Sequence, residues 1–341
     1  LHEEFTAYVV VALKYGMKNS NNEIWQLAKS VHGWGKIQAV PYIEATTEEI
    51  KYWIVTKGCE NIIDNSYLAY WCAEKGELEE LFFENTVSKE LYNGVSVIVE
   101  GLLSETAPEG IDNYQYAGYV LSRYVHHAST HCKTMDDFYV LLKINEYMNV
   151  DSEDWDERYL NNWKQHERNA VMEAIQAIVG KSKWAETAVE KLKQDYDYKA
   201  IEIARFFEVD ITEQLFSLLG KEPKNSSIYY AIMETNNHEY IAHLCLFAET
   251  QLSLTELSDE DQECLQCIVQ SLHEYEGVGL SLIQAALQSN NGSLQYQSLT
   301  VLHEWTPAIW KQAEITAAIQ RIAITTKDKE DRQLAKGLLG K

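Results

Sequence analysis

The chain has 341 residues, 46% of them hydrophobic, with 29 basic against 52 acidic side chains for a net charge of −23. That apolar content excludes a disordered chain, and a total of only 4 Pro and 16 Gly argues against a turn-rich all-β fold. An acidic surface repels phosphate backbones and anionic headgroups, so neither nucleic acid nor membrane is an expected partner; a basic protein or peptide would be welcome, although acidity chiefly serves solubility.

Residues 1–16, LHEEFTAYVVVALKYG, predict an amphipathic helix and lack the basic n-region and cleavage site of a signal peptide. The chain begins at Leu1, which leaves room for an upstream piece lost or left out. Next comes His32-Gly33-Trp34-Gly35, where two glycines around a Trp predict a tight turn at a helix junction. The plain expectation is a repeat corner with Trp34 buried; the functional one is a loop presenting His32 and Trp34 on a binding edge. Ile37, Val40 and Ile43, then Ile50, Trp53 and Ile54, predict a pair of short helices. Thr46 and Thr47 stand ahead of Glu48 and Glu49 as an N-cap with first-turn acids, and Gly58 is the stop. Residues 65–83, NSYLAYWCAEKGELEELFF, predict a small-residue-rich helix and a short follower, broken at Gly76.

Ala117, Val120, Leu121, Tyr124 and Ala128 recur at spacings of three and four, one face of a helix. His127 and His131 on that helix are i, i+4, a spacing that suits a metal, while His126 points away. Further ligands would have to come from Asp136, Asp137 or Cys132; two packing histidines are the plainer outcome. The acidic run 151–157 marks a soft break near 149–157, read as a loop and helix start. Trp155, Tyr159, Trp163, His166, Ala170, Ala174 and Ala177 predict one continuous buried stripe, with His166 a satisfied core histidine. Lys181, Lys183, Lys191, Lys193 and Lys199 cluster, but the acids between them cancel the effect. Ser258 opens SDEDQE as a cap, and Leu265, Ile268, Val269 and Leu272 follow as a stripe. Cys264 and Cys267 form a C-x-x-C inside that helix, without the second pair a zinc ribbon needs. Gly180, Gly220 and Gly277 fall where periodicity breaks, and Pro223 and Pro307 in short links. Tyr296, Leu299 and Leu302, then Ile315, Ile319, Ile322 and Ala323, resemble the arrangement at 37–54, and His303 with Glu304 reads as helix surface beside a packed Trp305. The sum is about twenty helices of ordinary globular length.

Helix pairs with one greasy stripe each must stack on their neighbours. The phrase at 30–58, SVHGWGKIQAVPYIEATTEEIKYWIVTKG, and that at 65–78, NSYLAYWCAEKGEL, resemble segments of bacterial HEAT-repeat proteins. The chain is similar to a HEAT-repeat or armadillo-like α-solenoid, most specifically in its first quarter and by pattern alone from Ser293 to Leu339. The Asp and Arg common in the second helix of HEAT units do not recur at regular intervals. The resemblance implies an all-α, right-handed α-α superhelix of stacked antiparallel pairs, one solenoid over 1–341. It also implies a non-enzymatic scaffold that binds a protein or peptide. The chain holds 21 Tyr and 9 Trp, residues favoured at interfaces. His32, Trp34, Tyr67 and Trp71 are the binding candidates.

An enzyme is the rival reading. Helical-repeat folds permit a DNA-base glycosylase-like activity, and His127 with His131 a metal-dependent hydrolase. Acidity weighs against the first. Missing motifs weigh against both, since the sequence has no Gly-rich phosphate loop, G-x-S-x-G or H-E-x-x-H. Glu48 with Glu49, Glu79 with Glu80 and Asp136 with Asp137 are carboxylate pairs of a kind too common here to signal acid–base work. No cofactor is expected. Cys59, Cys72, Cys132, Cys245, Cys264 and Cys267 read as reduced thiols of a cytoplasmic protein. No apolar run nears the roughly 18 residues of a membrane span.

Overall fold

A computed structural model describes residues 3–18, 20–150, 152–161, 163–180 and 183–340; Leu1, Asp151 and Lys181 of the segments above lie outside them. The described residues form 22 α-helices with short 3-10 and π turns and no strand, so the chain is all-α. Among them no helix is long and apolar enough to cross a membrane. The chain divides into two compact units, Leu1–Trp184 and Ala185–Lys341.

The first unit opens with α1 (Glu3–Gly16), α2 (Asn21–Ser30) and α3 (Gly33–Ala39), the last running into a 3-10 turn at Val40–Tyr42. Gly33 has φ +54° and His32 is extended, so the two-glycine motif does make a helix junction. Trp34, however, is 45% exposed rather than buried. α4 (Glu48–Trp53) starts on Thr47, whose hydroxyl accepts from the Ile50 N–H, and continues as a π turn, Ile54–Gly58. A π turn leaves carbonyls out of the regular ladder. Lys36 takes up the slack: its buried ammonium donates to the carbonyls of Lys57 (2.6 Å) and Glu60 (2.7 Å). Burial holds the Lys36 pKa below its usual value.

α5 (Ser66–Lys75), α6 (Leu78–Leu81), α7 (Lys89–Leu102), α8 (Ala117–His131) and α9 (Met135–Met148) build the middle of this unit. α7 is its central rod and packs on α5, α8, α9 and the π turn. Leu91, Val95, Ile98, Val99 and Leu102 of α7 are buried at helical spacing, each worth about 2 kcal/mol of transfer free energy. A Cβ at Gly94 would lie 2.4 Å from the Val55 carbonyl oxygen and 2.5 Å from the Thr56 Cα. Only a glycine lets the rod press against the π turn's backbone. The face read from Ala117 to Ala128 is buried in full.

The stripe from Trp155 to Ala177 does not run unbroken. It splits into α10 (Ser152–Asn161) and α11 (Gln165–Val179), and the Trp163 N–H bonds to the Arg158 carbonyl between them. That break resets the helical phase. α11 buries Val171, Ile175 and Val179, while His166, Ala170, Ala174 and Ala177 are exposed, so His166 is no core histidine. The acidic run 151–157 feeds α10, and the division between the units falls instead inside α12 (Lys183–Leu192).

The second unit holds α13 (Tyr198–Phe206), α14 (Thr212–Lys221), α15 (Ser226–Met233), α16 (His238–Gln251) and α17 (Asp259–Val269). α18 (Leu280–Gln288), α19 (Gly292–Glu304), α20 (Pro307–Trp310), α21 (Ala313–Thr325) and α22 (Lys329–Gly340) complete it. Its contacts form two rows. In one, α15 meets α17, α17 meets α19 and α19 meets α22; in the other, α16 meets α18 and α18 meets α21. Sequential neighbours such as α15 with α16, α17 with α18 and α21 with α22 join the rows. The apolar stripes of α17 and α21 read from the sequence line this interior. Pro307 begins α20 at a position where a missing N–H costs nothing; Gly220 is the penultimate residue of α14, where the helix ends.

Both units carry the same capping device. At α9, Thr134 and Asp137 cap each other, and the Asp137 carboxylate also accepts from the Lys133 N–H (2.9 Å) and the Lys89 ammonium (2.9 Å). At α17, Ser258 and Asp261 do the same, with the Lys224 ammonium 2.9 Å from Asp261. Burial acts to raise both Asp pKa values, and the ammonium and N–H donors outweigh it to leave them below the usual carboxylate range.

Candidate binding site

The first unit contains a cavity of about 750 Å³ lined by Glu79, Glu80, Phe83, Gln115, Tyr116, Tyr119, Lys164 and Glu167. Three segments supply it: α6 with the residue pair after it, the start of α8, and the start of α11. Each segment is held in place by a specific bond. The buried Tyr114 donates its hydroxyl to Glu79 (2.9 Å), which fixes α6 against the approach to α8. Glu80 lies 3.6 Å from the Lys51 ammonium, itself paired with Glu77. Glu167 accepts from the Lys164 N–H (2.9 Å) and so caps α11 while also lining the cavity.

Three carboxylates and one ammonium line the cavity; that ammonium, Lys164, is largely solvated and 4.0 Å from Glu167, and Lys51, outside the lining, stands 3.6 Å from Glu80. Nearby Glu74 has its pKa raised chiefly by burial, with the charge of Glu79 adding to it. Phe83 (67% exposed) and Tyr116 (38% exposed) are open to solvent, and the Tyr119 hydroxyl is buried without a hydrogen-bond partner. Rings attract cations through their faces, and carboxylates through charge-assisted hydrogen bonds. The lining therefore suits an organic cation.

The four binding residues read from the sequence gather elsewhere in the same unit. Trp34 at the start of α3 and Tyr67 on α5 have ring centroids 5.4 Å apart, and Trp71 lies one helical turn beyond Tyr67. Tyr67 and Trp71 are 36% and 40% exposed, and His32 is exposed at the N-cap of α3. Together they make an exposed aromatic ridge. Ile62 and Ile63, which the sequence reading did not single out, are exposed beside the loop that Asn61 ties to the Gly33 carbonyl (3.1 Å).

His127 and His131 turn to separate tasks. His127 is buried against Phe82, with ring centroids 4.8 Å apart, and receives Arg123 at 3.4 Å. Burial, then the Arg123 charge, pushes its pKa down to about 4. His131 stacks on Tyr92 and donates through Nε2 to the Val87 carbonyl (3.0 Å). Asp137 is committed to Lys89, and among the described residues no three His, Cys, Asp or Glu side chains gather to hold a metal ion. Cys264 is buried in α17 with its pKa pushed up to about 12 by burial, so it is a neutral packing thiol.

The sequence reading passed over the cavity because Glu79 and Glu80 were one acidic pair among many, and Tyr116, Tyr119 and Glu167 are distant from them in sequence. Only the fold brings them together. No family model matches this chain, and comparison with curated proteins and with solved structures finds no match.

Proposed function

We propose that the chain is a non-catalytic binding module that holds a positively charged segment of a protein partner, with one basic side chain seated between α6, α8 and α11. The observation that carries this reading is the cavity wall, three carboxylates and three aromatic rings around one opening. A Lys or Arg side chain has the chemistry to answer both: its charge meets Glu79, Glu80 and Glu167, and its alkyl stem or guanidinium plane covers Phe83 and Tyr116. The net charge of −23 favours the encounter over distance. The aromatic ridge of Trp34, Tyr67 and Trp71, with His32 at its edge, supplies a second contact surface. The two-row stacking from α15 to α22 supports a solenoid of the HEAT or armadillo kind, for which the expected coil is a right-handed superhelix. The free cysteines fit a reducing, cytoplasmic setting.

The test uses two labelled peptides of equal length, one rich in Lys and Arg and one rich in Glu, read by fluorescence anisotropy. The basic peptide binds, weakens as salt rises, and loses about tenfold or more in affinity when Phe83→Ala and Tyr116→Ala are combined, a loss of about 1.4 kcal/mol. Both side chains are solvent-exposed, so the fold tolerates the change. Equal affinity in the double variant, or no preference between the peptides, refutes the reading.

A further inference from the structure

A second cavity of the first unit, of about 650 Å³, shares no lining residue with the one between α6, α8 and α11. It lies where the end of α1, the start of α2, the 3-10 turn and the start of α4 meet, and Ser20, Asn22, Trp25, Tyr42, Thr46 and Thr47 carry its chemistry. Its volume is ordinary for a small-molecule site. Asn21 builds the wall: its side chain accepts from the Glu44 N–H (2.8 Å) and donates to the Glu44 carbonyl (2.7 Å) and the Thr46 hydroxyl (3.2 Å). Those three bonds clasp the link before α4 to the start of α2. Ile24 (2% exposed) and Ile50 (5% exposed) supply the apolar part of the lining.

Hydroxyl and amide groups, which donate and accept alike, set this cavity apart: Ser20, Thr46 and Thr47, with the Asn22 amide. The Thr46 hydroxyl accepts from Asn21 and that of Thr47 from the Ile50 N–H, so each keeps its own proton to donate. Trp25 is only 6% exposed, and its indole N–H is buried with no hydrogen-bond partner, a donor that folding leaves unmatched. Lys14 is the one ammonium in the lining, against the carboxylates of Glu44 and Glu49. A single lysine beside two acids is a poor phosphate site, and its charge opposes a cation. We propose that this cavity binds a neutral, hydroxyl-rich ring molecule, a mono- or disaccharide. Each sugar hydroxyl donates and accepts, as the lining does, and one of them gives the Trp25 N–H its acceptor. The C–H face of the sugar ring lies against Tyr42, which is 36% exposed.

The test is an NMR titration of the full chain, ¹⁵N-labelled at its Trp indoles, with glucose, galactose, mannose, N-acetylglucosamine and maltose. Each is taken to about 50 mM, because an open site binds so small a ligand weakly. At least one of these sugars moves the Trp25 indole resonance saturably, while inorganic phosphate and glutamine, the anionic and zwitterionic controls, leave it in place. Asn22→Ala combined with Tyr42→Ala, both at exposed positions that the fold tolerates losing, weakens that sugar about tenfold or more. The Phe83→Ala and Tyr116→Ala double variant binds the sugar as the wild type does, which separates this site from the cation cavity. A Trp25 indole unmoved by all five sugars, one moved instead by phosphate or glutamine, or full affinity in the Asn22 and Tyr42 double variant overturns the proposal.

Discussion

Asp137→Asn is the sharpest perturbation of the framework that holds the first unit together. The Asp137 side chain is only 6% exposed, and its carboxylate accepts from the Lys89 ammonium at 2.9 and 3.0 Å and from the N–H groups of Lys133 and Thr134. Asparagine keeps one acceptor oxygen and removes the charge. A charge-assisted bond to a buried carboxylate is worth about 1.5–3 kcal/mol. Lys89 is 43% exposed, so solvent screening takes the lower part of that range; the weakened cap at α9 adds about 0.5–1 kcal/mol. The expected loss is about 2 kcal/mol near neutral pH, which moves a urea midpoint down by about 0.7–1 M for a unit of this size. The pH dependence has a definite sign. Asp137 has its folded pKa held below the ordinary carboxylate value, so its contribution is fully present above about 3.9 and fades as pH falls through the folded pKa. The gap between wild type and variant is therefore constant from pH 7 to pH 5 and closes only in stronger acid. A midpoint unmoved at pH 7, or a gap that shrinks between pH 7 and 5, refutes the reasoning.

Other expectations concern different parts of the chain. Gly94→Ala gains about 1 kcal/mol of helix propensity but drives a methyl into the backbone of Val55 and Thr56; overpacking against immovable atoms costs about 3 kcal/mol, so thermal denaturation shows a net loss of about 2 kcal/mol, and an unchanged or higher Tm contradicts the close approach. His127, with a pKa of about 4, stays neutral in an imidazole NMR titration down to about pH 5. Because its folded pKa lies below the unfolded value, its burial costs stability as pH falls from about 6.5 toward 4, and His127→Gln relieves that dependence. A His127 resonance that titrates near 6.5 would contradict its burial against Arg123.

Helix identity was largely legible because stripes such as Leu265, Ile268 and Val269 have one phase and one buried side. Caps were legible too: Thr47 and Ser258 each accept an N–H of the helix they open. The reading from Trp155 to Ala177 failed because periodicity can persist through residues that interrupt the hydrogen-bond ladder, and three residues suffice to rotate the face. Trp34 defeated the burial expectation because a two-glycine turn fixes the backbone and leaves the ring's direction to its neighbour, here Tyr67. Lys36 was invisible as a structural residue, since nothing local announces a lysine that ends a π turn 21 residues away. The cavity was least legible of all: Glu79, Tyr116 and Glu167 meet only through packing of α6, α8 and α11.

The central claim is that this cavity takes a cationic group. Its most direct test is an NMR titration of the chain carrying ¹³C-labelled Phe and Tyr rings, using butylguanidinium and butylammonium as probes and butyrate as the oppositely charged control. The account predicts saturable ring shifts at Phe83, Tyr116 and Tyr119 with one or both cations, abolished by Glu80→Gln with Tyr116→Ala. Shifts spread over the surface, or butyrate moving the same rings equally, would contradict it.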